Sequence, residues 1–407
     1  MSQIDKLLNK HAPDGVVLKP LGDVGEFVRG NGLQKSDLTS VGVGAIHYGQ
    51  IHTHYGTWTR TTKSFVAPEM AAKLRRARTG DLVIATTSED DAAVAKAMAW
   101  LGPDEVAVSG DAYIYRHTLD PRYAAYFFQT EQFRAQKNRH ISGTKVRRIS
   151  GAALAKILIP VPPLEVQREI VRILDNFTEL EVELEAELEA RRRQYASYKD
   201  KLFWNVSARR SVSLGDISII LNGFSFRSEN YSNSGVRVIR ISDVQKGYIS
   251  DKDRKYYSEN QELEYRRYSL HEGDLVLSLS GSVGRVAMLS ESDLPAALNQ
   301  RVACVRPDPS VLTRRFLFHF LNRDQFEDAA ILSAGSGTVK NVSSRWLREY
   351  QVPLVPLHEQ AQIVALLDHF DLLINDISVG LPAELAARRK QYEYYRDRLL
   401  TFEETPA

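Results

Sequence analysis

Residues 159–177 read IPVPPLEVQREIVRILDNF, and residues 352–370 read VPLVPLHEQAQIVALLDHF. Superposed at a shift of 193 residues, the two agree at Pro160/Pro353, Pro163/Pro356, Leu164/Leu357, Gln167/Gln360, Ile170/Ile363, Val171/Val364, Leu174/Leu367, Asp175/Asp368 and Phe177/Phe370, nine of nineteen positions. The same shift carries Leu21-Gly22-Asp23-Val24 onto Leu214-Gly215-Asp216-Ile217, Gly80-Asp81-Leu82-Val83 onto Gly273-Asp274-Leu275-Val276, and Gln132-Phe133 onto Gln325-Phe326. Solenoid repeats run at about 20–50 residues, so a period this long makes each copy a domain plus its connector. The chain is a covalent pseudo-dimer. Two like domains suit a target with two related halves, and duplex DNA supplies such dyads.

Upstream of each window the pattern is globular. Short β-branched runs at Leu82 to Thr86, Val236 to Ile241 and Leu275 to Leu279 predict strands, and Asp120 to Gln136 and Thr313 to Asp328 predict helices. Each globular stretch closes on a strand punctuated by proline, residues 157–163 and 350–356; proline cannot donate to a ladder, so these strands belong at an edge. Downstream the period becomes about 3.5. Ile170, Ile173, Phe177, Leu180, Leu184, Leu188, Tyr195, Tyr198 and Leu202 fall on one stripe, and Ile363, Leu366, Phe370, Leu373, Ile377, Leu385, Tyr392, Tyr395 and Leu399 on another, the spacing of a coiled-coil seam. Helices of this length, about 50–60 Å, outrun a domain of their own, and the best partner for each is its twin. The second helix is predicted to break or kink at Gly380-Leu381-Pro382. In the first, Glu183-Leu184-Glu185-Ala186 is followed at once by Glu187-Leu188-Glu189-Ala190. Each such unit adds about 6 Å of helix and about 40° of rotation, so length here is a spacing variable.

The fold expected is therefore α+β: two similar mixed α/β globules in pseudo-twofold repeat, joined by two long helices that form an antiparallel coiled coil. At 407 residues and 43% hydrophobic content the chain can fill ordinary cores. Lys+Arg 53 against Asp+Glu 51 leaves it nearly neutral, with acid gathered in Glu179 to Glu189 and base in Lys73 to Arg78, Arg134 to Arg148 and Arg237 to Lys255. The single Cys304 allows no internal disulfide, no run approaches the about 18 apolar residues of a membrane span, and Met1 to Pro20 has no signal-peptide pattern, so a cytoplasmic location is expected.

This arrangement resembles the specificity subunit of type I restriction-modification enzymes. The likeness is carried by residues 162–171 and 355–364, by Leu174-Asp175-Asn176-Phe177 and Leu367-Asp368-His369-Phe370, and by Arg191-Arg192-Arg193-Gln194-Tyr195 and Arg388-Arg389-Lys390-Gln391-Tyr392. One departure is Val166, which stands where the second copy has Glu359. The resemblance implies a helical segment at residues 1–16, target-recognition domains at 17–160 and 208–353, and helical spacers at 161–207 and 354–407. It implies a non-catalytic reader of double-stranded DNA, taking one half-site per domain, with the spacer as a ruler for the gap. The partners it implies are two modification subunits and, through the complex, restriction subunits. S-adenosylmethionine, ATP and Mg²⁺ would sit on those partners, with no cofactor in this chain. A protein scaffold that never touches DNA is the alternative from another class.

Gly42 to Ile51 aligns without gaps on Gly235 to Val244, and the continuation brings Tyr55 onto Tyr248. A strand is predicted in each, after which His47, Tyr48 and Gln50, or Arg240, Ser242 and Asp243, would project with Lys246 close behind. Such side chains can bond base edges: Gln to adenine, Arg to guanine, Asp to cytosine. A second candidate is the pair of loops Ser142-Gly143-Thr144-Lys145 and Ser336-Gly337-Thr338-Val339-Lys340, where small residues and a lysine fit a phosphate. The candidate DNA-binding residues are thus His47, Tyr48, Gln50, Tyr55, Thr144, Lys145, Arg240, Ser242, Asp243, Lys246, Thr338 and Lys340. His47, His52 and His54 lack the further ligands a zinc site needs. No Gly-x-x-x-x-Gly-Lys-Ser/Thr loop and no Asn/Asp-Pro-Pro-Tyr tetrad occurs, so neither ATP-driven translocation nor adenine methylation is expected of this chain.

Overall fold

The computed structural model describes residues 3–208, 210–258, 265–335, 340–376 and 378–402. It divides into two compact units, one of residues 1–185 with 384–407, the other of residues 186–383. The two repeat the same plan.

In the first unit, Leu18–Pro20 pairs antiparallel with Leu158–Pro160, and in the second Ser211–Ser213 pairs with Gln351–Pro353. The registers match: Leu18 faces Pro160 as Ser211 faces Pro353. These two-stranded ribbons are all edge, which is where a strand with prolines belongs. Beyond the ribbon, the first unit has a five-stranded sheet in the order Gly25–Arg29, Ala112–His117, Leu82–Ala85, Lys96–Trp100, Trp58–Thr59. Its companion is a four-stranded sheet ordered Ser64–Val66, Val43–Ile46, Val106–Val108, Arg76–Ala77. The second unit repeats this with Leu275–Ser278 and Val302–Pro307 at the centre of a four-stranded sheet, and Val236–Ile239 parallel to Ala296–Leu298 in a five-stranded one. Leu82–Ala85 and Leu275–Ser278 are wholly buried, as unbroken β-branched and leucine runs should be.

Three predicted elements differ from the structure. Residues 120–136, expected as one helix, form Pro121–Phe127 and Glu131–Asn138. Thr130 interrupts them because its hydroxyl accepts from Phe133 N at 3.1 Å, which starts a new helix rather than continuing the old. Likewise Thr313 to Asp328 forms Arg314–Leu321 and Asp324–Ser333, with Arg323 between them folding back to donate from Nε to Phe320 O at 2.8 Å. The predicted strand Val236 to Ile241 ends at Ile239, where Arg240 turns to meet Asp243.

One helix, Leu164–Ser207, begins in the first unit and ends in the second. Its first turns bury Val166, Ile170, Val171 and Leu174 in the first core, each removal from water being worth about 1.5–3 kcal/mol before ordering is counted. In that unit it meets Gly380–Leu399: Phe177 stacks on Tyr395 with ring centres 5.5 Å apart, and Arg389 bonds Glu181 at 2.6 Å and also Glu185. As one index rises the other falls, so this pair runs antiparallel. In the second unit Tyr195 and Tyr198 lie against Phe370 of helix Leu357–Asn375, at 5.7 and 6.0 Å between ring centres, and Phe203 and Val206 enter the core. The expected break separates Leu357–Asn375 from Gly380–Leu399. Gly380 starts the second of these with φ +70°, where a Cβ would lie 2.2 Å from Leu373 O, so glycine is required. Ile377, placed on the stripe above, lies outside the described residues. No helix among the described residues is long and apolar enough to cross a membrane.

Candidate nucleic-acid interface

In the first unit, strand Val43–Ile46 runs straight into helix Tyr48–Thr53, and His47 caps the helix. His47 Nδ1 accepts from Gly49 N at 3.2 Å, while Gln50 Oε1 accepts from His47 N at 3.1 Å. Burial holds the His47 imidazole below its ordinary pKa, with Asp111 opposing and Lys35 reinforcing the shift. A neutral ring that accepts at Nδ1 carries its proton on Nε2, so that edge is a donor. Tyr48 leans on His47 with ring centres 4.6 Å apart and its backbone N donates to Ser109 Oγ at 2.8 Å. Together with Arg29, Gln34 and Asp111 they line a pocket of about 470 Å³.

The second candidate region comes to the same place. Ser142 and Arg148 exchange backbone bonds of 2.9 Å across a tight loop, and Gly143 at φ +94° could not be replaced, since a Cβ would sit 2.2 Å from Val146 O. Thr144 and Lys145 are exposed at its tip, and among the described residues Lys145 has no ion-pair partner. Strand Arg147–Arg148 pairs with Thr87–Ser88, and Thr87 O is 3.1 Å from His52 Nε2 on the helix that His47 caps. His47, Tyr48, His52 and the Arg147–Arg148 strand therefore lie on connected elements.

The second unit repeats the juxtaposition with different chemistry. Lys340 O accepts from Gly281 N at 3.0 Å and Ser280 bridges to Asn341, while Gly281 lies beside Ile241. The loop that precedes Lys340, including Thr338, lies outside the described residues. Here the expected readers are tied to each other. Arg240 donates from Nε and Nη2 to both oxygens of Asp243, at 3.2 and 2.9 Å, and reaches Asp253 at 3.3 Å. Asp243 is 3% exposed. Lys246 pairs with Asp324 and, at 3.2 Å, with Glu327. Ser242 and Tyr248 are exposed.

Two expectations in the first unit meet the same obstacle. Tyr55 is 5% exposed and its hydroxyl accepts from Lys63 N at 2.8 Å, so burial pushes its pKa up and it packs inward. Gln50 commits its other end too, donating from Nε2 to Ser64 Oγ at 2.7 Å. Polar residues after a strand identify a turn, but not whether the turn consumes them. The converse omission is His52, Ser109, Asp111, Arg147 and Arg148. Basic composition pointed to the two arginines; Ser109 and Asp111 arrive from a remote strand end, and no local pattern announces them.

Beneath each site a shared frame holds the globule to the helix. Gln167 Oε1 accepts from Asp120 N at 2.8 Å and its Nε2 donates to Pro162 O at 2.7 Å. Gln360 accepts from Thr313 N at 2.9 Å and donates to Val311 O and Val355 O at 2.8 and 2.9 Å. Asp175 takes Arg122 and, at 2.7 Å, Tyr126; Asp368 takes Arg315 and His319, both at 2.6 Å.

A family model described as the type I restriction modification DNA specificity domain matches residues 13–191 and again 209–387. A putative type I restriction enzyme specificity subunit of Haemophilus influenzae is 31% identical over 273 residues, 64% of this chain and 68% of its own. The EcoR124I/EcoR124II specificity subunit of Escherichia coli is 31% identical over 264 residues, 62% of this chain and 65% of that protein. The alignments thus span about two thirds of these relatives. A solved chain from a type I restriction-modification system, 20% identical, superposes with a TM-score of 0.68 over 95% of this chain and 97% of its own, which shows a common fold.

Proposed function

The chain belongs to the type I restriction-modification DNA specificity family, and on that premise we propose that each of its two units reads one half-site of a bipartite DNA sequence. The role is that of a specificity subunit, which selects the target and leaves catalysis to other subunits. The observation that carries this reading is the repetition: one specificity-domain pattern occurs twice, on two units that share strand registers, helix junctions and the meeting of the same two loops.

Target recognition belongs to residues 17–160 and 208–353. His47 and Tyr48, with the Nε2 edge of one and the hydroxyl of the other, are the base-edge candidates of the first unit, and Lys145 with Thr144 the phosphate contact. In the second, Ser242 and Lys340 take these places, and Arg240, Asp243 and Lys246 shape the loop that presents them. Two modification subunits carrying S-adenosylmethionine would dock on the chain, with ATP and Mg²⁺ on restriction subunits beyond them.

The helix Leu164–Ser207 sets the distance between half-sites. One more Glu-Leu-Glu-Ala after Ala190 adds about 6 Å, comparable to one or two base pairs of about 3.4 Å. Methylome sequencing of cells carrying that insertion should show a longer gap between unchanged half-sites; an altered half-site with the same gap would refute the ruler. Footprinting of the assembled complex that is bipartite and weakens with salt supports DNA reading, whereas binding indifferent to salt and to Lys145 would leave only a scaffold.

A further inference from the structure

Helices Arg314–Leu321 and Leu357–Asn375 and the C-terminal part of Leu164–Ser207 border a pocket of about 1080 Å³ in the second unit. Asp368 and Asp371 line it, and His319 approaches both; the three offer ligand atoms within 4.8 Å of one another. His319 is fully buried. Its Nε2 lies 2.6 Å from Asp368 Oδ1, and since a carboxylate only accepts, Nε2 holds the proton. Nδ1 is the ring's other edge. That atom is buried without a hydrogen-bond partner and stands 3.6 Å from Asp371 Oδ2.

An unpartnered imidazole nitrogen facing a carboxylate oxygen across a gap is unfavourable unless a cation, a proton or a metal ion, lies between them. The separation is too long for a hydrogen bond, but it suits two ligands bound at about 2.0–2.2 Å to one tetrahedral ion. The Nε2 bond to Asp368 is the arrangement by which a ligating histidine is oriented, its far nitrogen donating to a carboxylate. We propose that His319 Nδ1 and Asp371 bind a single divalent ion of the zinc class, with Asp368 orienting the imidazole and pocket water completing the shell.

Two cations share the neighbourhood. Arg315 Nε is 2.6 Å from the same Asp368 oxygen, so it anchors the orienting carboxylate rather than filling the gap. Lys199 is buried and donates to Asn322 O at 3.3 Å, and its charge, which acts on the imidazole, weakens the site. The first unit provides an internal control. At the positions of His319 and Asp371 it has Tyr126 and Thr178, whose hydroxyls lie 3.4 Å apart, with Tyr126 also on Asp175. The junction therefore closes without metal ligands in one copy of the fold.

The test uses the full chain, stripped with chelator and titrated with Co²⁺ alone. A single visible absorption band at one ion per chain, displaced by Zn²⁺, is the expected result. His319→Tyr and Asp371→Thr, each importing the first unit's own residue, should abolish the band, and Lys199→Met should tighten binding several-fold. X-ray absorption of the Zn²⁺-loaded wild-type chain needs no variant and should report one imidazole nitrogen among oxygens. Absence of the band, a band that survives in both variants, or a zinc edge without imidazole overturns the proposal, leaving the gap to a proton.

Discussion

Asp175 and Asp368 occupy one position in two copies of the same fold, yet they hold different company. Asp175 receives an arginine and a tyrosine hydroxyl; Asp368 receives an arginine and a buried imidazole, with Asp371 close behind. The backbone frame around them is common, since Gln167 and Gln360 reach the same helix starts and the same proline strands. The two copies thus separate what docking a globule on a helix requires from what each half can vary. A glutamine amide that satisfies backbone groups on two elements at once is the fixed part. The polar partner of the aspartate is the free part, because any donor of suitable length closes the junction.

The candidate reading surfaces differ in the same manner. In the first unit Lys145 has no ion-pair partner among the described residues, while in the second Arg240 and Lys246 are neutralised by carboxylates. Replacing Gln360 by alanine strips partners from Thr313 N, Val311 O and Val355 O together, so the second unit should lose about 3 kcal/mol, at the upper end for buried unsatisfied groups. Gln167→Ala should cost the first unit somewhat less, about 2 kcal/mol, for its two bonds. Chemical denaturation of each variant checks this, and a neutral Gln167→Ala would break the idea of a common frame.

Acid sharpens the comparison further. Burial lowers the pKa of His117 in the first unit to about 4, with Leu119 and Asp120 opposing. Its folded pKa lies below the unfolded value of about 6.5, so the unfolded state binds more protons between them. Its stability contribution is complete above about pH 6.5 and is lost as pH falls towards 4, amounting to about 2 kcal/mol by pH 5. Denaturation at pH 7 and pH 5 should show this loss in wild type and not in His117→Gln. Smaller still is the effect of Lys145→Ala on DNA binding by the complex: a few-fold in affinity and a drop of about one in the slope against log salt. Arg240→Ala should instead loosen its own loop by about 1 kcal/mol, with the salt slope unchanged. Equal slopes for both variants would erase the distinction between the halves.

The repeat, the proline-edged ribbons and the helical break were legible because each rests on local chemistry: identity at a fixed shift, a missing donor, a glycine at positive φ. The split at Thr130 was missed since a hydrophobic period runs through a cap without interruption, and only the Thr130 hydroxyl, bonding Phe133 N, ends it. For the candidate interface, the sequence located the elements but not the state of their side chains. Tyr55 and Gln50 sit where readers were expected and are consumed by Lys63 and Ser64, partners that a strand pattern does not reveal. Asp111 and Ser109 come to His47 and Tyr48 through sheet topology, which periodicity does not encode.

The first unit takes residues from both ends of the chain, whereas the second is one uninterrupted stretch. Leu400, wholly buried, packs in the same core as Ile4 and Leu21. On a ribosome, then, the half made first is finished last. Its flank stays open while the later half matures, and a chain stalled before residue 384 would leave an apolar face for chaperones to guard.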